Sequence, residues 1–382
     1  MKRFLLVVTF ALAVFLTVAC QPQVVEVEKE VEVTVEVEKI VEVEKEVEVE
    51  VERIVEVEKE VEVTRVVELE VEVEPEMEAV SIAIFHPVLG NSYTKALTDG
   101  AEAVAAEMGG TVDIFGADPG FDPIAQSNQI QDAITSGKYD AFIIYAADGV
   151  SVAADVEDAA AAGIAVIAAD VVIGPDARTY VPIDGVSSYI GRTGIDHGEF
   201  LGEMIVMACE DLDPCKVGYL NGVQALTVDQ DRVEALTVVL AAYPNIEIVS
   251  NQEAFYLENV GLDVATNMLQ ANPDINVLAT SGDQMMLGAE QAVIDAGLVD
   301  QIKLLGNGTG VQAHEAIQEG RFFANYADIP FTTGELRAEF AIRVVRGEEV
   351  PQFVKVYDLS PPMPGDSPII TQENVDEFEP QW

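Results

Sequence analysis

Beyond Pro75, short apolar runs alternate with helical-period segments, and the alternation runs through twice. This pattern constrains the fold most, because strands separated by helices form parallel βαβ units with helices on both sheet faces. Residues 81–85, SIAIF, have the length and apolarity of a buried strand. A loop with Pro87, Gly90 and Asn91 follows, and Tyr93, Ala96, Leu97, Ala101 and Val104 then recur at helical spacing up to Gly109-Gly110. Further strands are expected at 111–115, 141–145, 164–168 and 180–183, with helices over 123–136, 150–162 and about 187–207. The second round places strands at 216–220, 246–250, 277–280, 303–305 and 323–326. Its helices cover 227–242, 261–271, 285–296 and 312–319; a last helix over 333–346 precedes a strand at 353–359. Two such series predict an α/β fold of two doubly wound, Rossmann-like lobes with right-handed crossovers.

In an open α/β sheet, ligands sit beyond the carboxyl ends of the strands. The first such loop carries Asn91, an amide, and Tyr93, a flat face with a polar tip. Taken alone, this stretch reads equally as an ordinary βα turn.

Residues 1–19 read as an export signal: Lys2 and Arg3, an apolar run over 4–16 too short to span a bilayer, then small residues. Thr17-Val18-Ala19-Cys20 resembles the bacterial lipoprotein cleavage box, with Thr17 in place of its usual leucine. The resemblance implies that Cys20 is lipidated and becomes the first mature residue. A plain secretory signal is the alternative. Residues 20–78 follow as a low-complexity tether, with VEVEKEVEV repeated from Val25, Val41 and Val55. Residues 24–78 hold 22 glutamates against four lysines and two arginines, a charge that resists compaction. The segment reads as a solvated spacer with a reach on the order of 150 Å. Its strand-like alternation leaves an ordered β stalk or a self-associating strand as rivals.

A net charge of −48 with only 20 basic residues excludes nucleic acid as a partner and disfavours anionic surfaces and ligands. Cys209 and Cys215 bracket a short turn and read as a small disulfide in an exported chain; a metal pair is the alternative, although no histidine lies nearby in sequence.

The stretches GNSYTKALTDGA, YDAFIIYAAD, GIAVIAAD, VGYLNG, ATSGDQMMLGA, LLGNGTG, ANYADIP and PIITQENVDEF occur in order across residues 80–382. In order and spacing they resemble the type I periplasmic sugar-binding proteins, the ribose-binding-like subunits of ABC importers. The resemblance implies two lobes joined by three crossings, near Asp184, Asp328 and Tyr357. Lobe 1 is then expected over about 79–183 and 329–356, and lobe 2 over about 184–328 and 357–382. It implies a ligand site at Asn91, Tyr93, Tyr145, Asp170, Gln230, Tyr256, Asn307 and Asp328, with His86, Arg232 and Asp283 as further candidates. Val171 and Gln230 stand where the family commonly has arginines, and Gly282 where it has an asparagine, so its strongest donors to sugar hydroxyls look lost. A neutral sugar or polyol fits what remains, and an amine-bearing ligand is also admitted.

Gly306-Asn307-Gly308-Thr309-Gly310 lacks the Gly-Lys-Ser/Thr of a phosphate loop and reads as a tight turn. Asp118 and Asp122 lack calcium-loop spacing. His86, His197 and His314 are dispersed, and no nucleophile pairs with them, so neither an enzyme nor a metal or cofactor site is expected. The leading expectation is a monomeric, lipid-anchored receptor on the outer side of the cytoplasmic membrane, serving an ABC permease. A ligand sensor of the same fold, signalling to a membrane receptor, is the alternative; an envelope hydrolase would need a nucleophile and base that the sequence does not offer.

Overall fold

The computed structural model describes residues 79–382 except 118–119, 177, 360–362 and 365–366. The expected signal over 1–19, the lipidation site Cys20 and the tether over 20–78 lie outside the described residues. The chain opens with β1 (Val80–His86), α1 (Ser92–Glu107), β2 (Gly110–Gly116) and α2 (Pro123–Ser136). Next come β3 (Ala141–Tyr145), α3 (Ala153–Ala161), β4 (Ala165–Asp170) and β5 (Ser188–Gly191). A second series runs through α4 (Gly194–Ala208), β6 (Cys215–Asn221), α5 (Thr227–Leu240), β7 (Ile246–Glu253) and α6 (Glu258–Ala271). It continues with β8 (Val277–Thr280), α7 (Asp283–Ala296), β9 (Lys303–Leu305), α8 (Val311–Gln318) and β10 (Asn325–Tyr326). Then follow α9 (Pro330–Val345), β11 (Phe353–Lys355) and β12 (Ile369–Ile370).

The first lobe is a parallel sheet of order β11-β5-β4-β3-β1-β2. Strand side chains alternate between faces, so each central strand feeds two cores. Ala83, Phe85, Phe142 and Ile144 pack on one face with Val156 of α3 and Ile130 of α2. Ile82, Ile84, Ile143 and Ile167 pack on the other with α1 and α9. The second lobe repeats the design in a sheet of order β7-β6-β8-β9. Val217, Tyr219 and Val277 pack with Leu201 and Leu236 on one face; Leu220, Leu278 and Leu304 pack with Met268 and Val293 on the other.

Local chemistry sets the helix boundaries. The Asn91 side chain accepts Thr94 N–H at 2.8 Å and starts α1. Asp122 caps α2, with Pro123 at its first position. Thr193 and Asp196 form a reciprocal capping box at the start of α4. Cys209 and Cys215, joining the end of α4 to β6, are disulfide-bonded with Cα atoms 5.6 Å apart.

Two expectations are corrected at the first crossing. Residues 180–183 form no strand; Pro182 has no N–H to give a ladder. The run SYIG is the strand instead, pairing with β4 on one side and β11 on the other. Because β5 belongs to the first sheet, the chain leaves that lobe at Arg192-Thr193, not near Asp184. The expected helix from 187 is likewise shortened to Gly194 by the Thr193 cap. The chain returns after Asp328 into α9, which packs on α1, and leaves again beyond Lys355, where Val356 enters the second lobe's core.

Candidate ligand-binding cleft

The carboxyl ends of β1, β3 and β4 face those of β6, β8 and β9 across a cleft. Asn91, Tyr93, Tyr145 and Asp170 line it from the first lobe, and Asp229, Arg232, Tyr256 and Asn307 from the second. Arg192 and Asp328, at two crossings, form its hinge side.

A buried charge network runs across the cleft. The Arg192 guanidinium pairs with Asp328, its Nη1 donating to Oδ1 at 3.0 Å, and lies 3.6 Å from Asp170 Oδ1. Arg337 of α9 reaches Asp170 from behind, its Nη2 donating at 2.7 Å to the same oxygen. In the second lobe, Arg232 Nη1 donates to Asp229 Oδ1 at 2.7 Å and to the Tyr256 hydroxyl at 2.9 Å, while Tyr256 donates to Asp229 at 2.7 Å. His197 joins the two halves: Arg192 Nε donates to its Nε2, and Arg232 Nη2 lies 2.7 Å from its Nδ1. Burial, then Arg192 and Arg232, hold the His197 pKa far below its ordinary value, so the ring is neutral. A neutral imidazole has one lone-pair nitrogen and accepts from one guanidinium only. Burial opposes the Arg192 charge most strongly, but Asp328, Tyr93, Tyr326 and Asp170 around it together outweigh that and keep the guanidinium protonated. Burial pushes the Asp328 carboxyl up to about 6 against the pull of Arg192, which leaves it ionised at neutral pH.

Three guanidiniums, of Arg192, Arg232 and Arg337, thus meet three carboxylates, of Asp170, Asp229 and Asp328. Three buried polar atoms of the cleft-lining residues have no partner among the described residues: Asp170 Oδ2, Asn307 Nδ2 and Arg232 Nε. They supply one acceptor and two donors. Asp170 holds a left-handed backbone, φ 55°, at the end of β4, where the cost of such a conformation is met by the fixed surroundings of a site.

Aromatic faces bound the rest. Tyr256 lies where Gly222 leaves room; a Cβ there would come within 2.3 Å of the Tyr256 ring. Phe121 of the first lobe meets Tyr256 of the second at 5.5 Å between ring centroids, and Tyr93 meets Trp382 at 5.5 Å, edge to face. Thr227 donates to Asp148 across the gap at 2.6 Å. With these contacts made, the lobes are closed on one another.

Seven of the eight principal sequence candidates line this cleft; Gln230 does not. It is exposed, and its amide donates to the Gln224 carbonyl at 3.0 Å, because Asp229 occupies the inward position of α5. Of the further candidates, Arg232 lines the cleft. His86 is buried beneath α1 against Thr98, outside it. Asp283 spends its carboxylate on Asn307 N–H at 2.8 Å, Gly310 N–H at 2.9 Å and the Asn325 amide at 2.8 Å, and so shapes the 306–310 loop. No arginine stands at 171 or 230, but Arg192 and Arg232 line the cleft from other positions. Sequence reasoning missed Arg192, His197, Asp229, Phe121 and Trp382. The capping pattern Thr193-x-x-Asp196 was the available signal for Arg192, since it ends the preceding strand just where the chain crosses.

The profile of the periplasmic binding protein domain matches residues 82–349. The ribose import binding protein of Salmonella typhimurium is 27% identical over 270 residues, covering 71% of this chain and 86% of that protein. An ABC transporter solute-binding protein from Mycobacterium smegmatis, solved with bound glycerol, is 28% identical, with a TM-score of 0.66 over 78% of this chain and 96% of that one. One from Actinobacillus succinogenes, solved with bound D-allose, shares the fold at 24% identity, with a TM-score of 0.67 over 78% of this chain and all 100% of that one.

Proposed function

The chain belongs to the periplasmic binding protein domain family, and on that premise we propose that it captures a small neutral sugar or polyol between its lobes and hands it to an ABC permease outside the cytoplasm. The charge balance of the cleft carries this reading. Each guanidinium already faces a carboxylate, so a charged ligand would enter unpaired at a large desolvation cost. Amines and anions are both disfavoured on this ground. A hydroxyl donates and accepts at once, which suits a cleft whose lining holds Asp170 Oδ2, Asn307 Nδ2 and Arg232 Nε unpartnered. Aromatic faces at Tyr93, Tyr256 and Trp382 cover C–H surface and exclude water, strengthening those polar contacts. Relatives named for ribose and solved with D-allose or glycerol support the same ligand class. Lipidation at Cys20 would keep the domain at the membrane near its permease.

A thermal-shift screen of the protein against D-ribose, D-allose, myo-inositol, glycerol, putrescine and inorganic phosphate tests the reading. A cognate sugar at 100 times its dissociation constant stabilises the fold by about 2.7 kcal/mol. Stabilisation by putrescine or phosphate with none by the polyhydroxyl compounds would refute it.

A further inference from the structure

Resting on the sugar-binding reading, we propose that Trp382 fixes the size of the ligand by walling the cleft off from a second groove. Behind the indole lies a groove lined by Ser92, Glu258, Gln284 and Gln312 together with the apolar Leu287, Val311 and Ala313. Trp382 and Gln284 line both this groove and the cleft, so the indole is the partition between them. A hydroxyl, a carboxylate and two amides are the groups that bind sugar hydroxyls. The groove thus offers polar partners for the hydroxyls and apolar surface for the C–H faces of a second ring glycosidically joined to one in the cleft.

The partition is held from both lobes. Val311 N–H donates to the Trp382 carbonyl at 2.7 Å, and the indole N–H donates to Gly308 O at 3.3 Å, both in the second lobe. Gly308 has φ 132°, and a Cβ there would lie 2.3 Å from the indole, so the loop is shaped to seat the ring. On the first-lobe side the ring rests edge-on against Tyr93, while neighbouring Gln381 accepts Thr332 N–H at 3.0 Å and donates to Thr332 Oγ1 at 2.8 Å. The main chain is firmly tied; the ring is kept in place by one long hydrogen bond and packing. Removing the ring alone joins the two spaces.

Calorimetry on the full chain and its Trp382→Ala and Trp382→Phe variants, with D-ribose, D-allose, maltose and cellobiose, tests this. Wild type is expected to bind a single-ring sugar and exclude the disaccharides. Trp382→Ala should bind the single ring about tenfold more weakly and gain about tenfold for a disaccharide, while Trp382→Phe keeps the exclusion. Wild-type affinities and unchanged exclusion in Trp382→Ala would overturn the proposal and leave the sugar-binding reading intact. Trp382 is the single tryptophan of the chain, so its emission reports the partition directly. If a sugar binds, its emission should shift; binding without any shift overturns the partition. If no sugar binds, the sugar-binding reading fails, and acrylamide quenching of the ligand-free protein then decides: shielded Trp382 upholds the wall, and quenching equal to free tryptophan refutes it.

Discussion

Gln230 and Asp229 are neighbours on α5 with opposite fates, because successive helical residues point about 100° apart. Asp229 is fully buried between Arg232 and Tyr256, whereas Gln230 is on the surface. Asp229→Asn should therefore weaken sugar binding by about 1.4 kcal/mol or more, because it leaves Arg232 short of a buried counter-charge, while Gln230→Ala leaves affinity unchanged. Titration of both variants checks this, and a loss in Gln230→Ala alone would reverse the assignment. His86 carries a pH prediction. Burial, then Arg337, lower its pKa to about 4 from an ordinary 6.5. Below pH 6.5 the unfolded chain takes up a proton that the folded one refuses, so stability is full above that pH and is lost as pH falls toward 4. The loss approaches about 3 kcal/mol near pH 4. In His86→Gln, melting temperature should fall less steeply between pH 6.5 and 4; an unchanged slope would show that His86 titrates freely.

At the scale of elements, the crossing of α1 over α9 depends on two glycines facing the partner backbone. A Cβ on Gly100 would lie 2.1 Å from Phe331 O, and one on Gly334 would lie 2.1 Å from Leu97 O. This crossing also positions Arg337, which α9 sends into Asp170. Gly334→Ala should cost about 1–3 kcal/mol through forced separation of the helices and weaken binding through Asp170. Urea unfolding and titration measure both; an unperturbed protein would show that the helices have slack. The α/β alternation is visible in sequence because buried parallel strands are continuous apolar runs. β5 escaped because SYIG is short and merges with a helical-looking stretch, and only its pairing to β4 and β11 defines it.

For the molecule as a whole, closure is the functional event, and ligand drives it only by touching both lobes. Thr227 to Asp148 joins the lobes, and neither residue lines the ligand cavity. Thr227→Val should speed ligand release severalfold, about 1 kcal/mol, with little change in association rate. Stopped-flow kinetics would detect this, and equal release rates would exclude the pair as a latch. Outside the folded lobes, Cys20→Ser should free the protein from the membrane fraction, and fractionation showing full retention would end the lipoprotein assignment.

The sequence alone determined the two-lobed α/β plan, the disulfide candidates and the loop residues at strand ends, because periodicity, turn chemistry and position after a strand are local properties. Tertiary structure decided which of those residues share a site. Arg192 and Asp328 are 136 positions apart, and Trp382 reaches Tyr93 from the far end of the second lobe. Whether an aspartate binds ligand, as Asp170 can with a free oxygen, or a loop backbone, as Asp283 does with three donors, depends on what the chain brings to it. Burial, helix face and charge balance are sums over distant segments, and no local pattern encodes them.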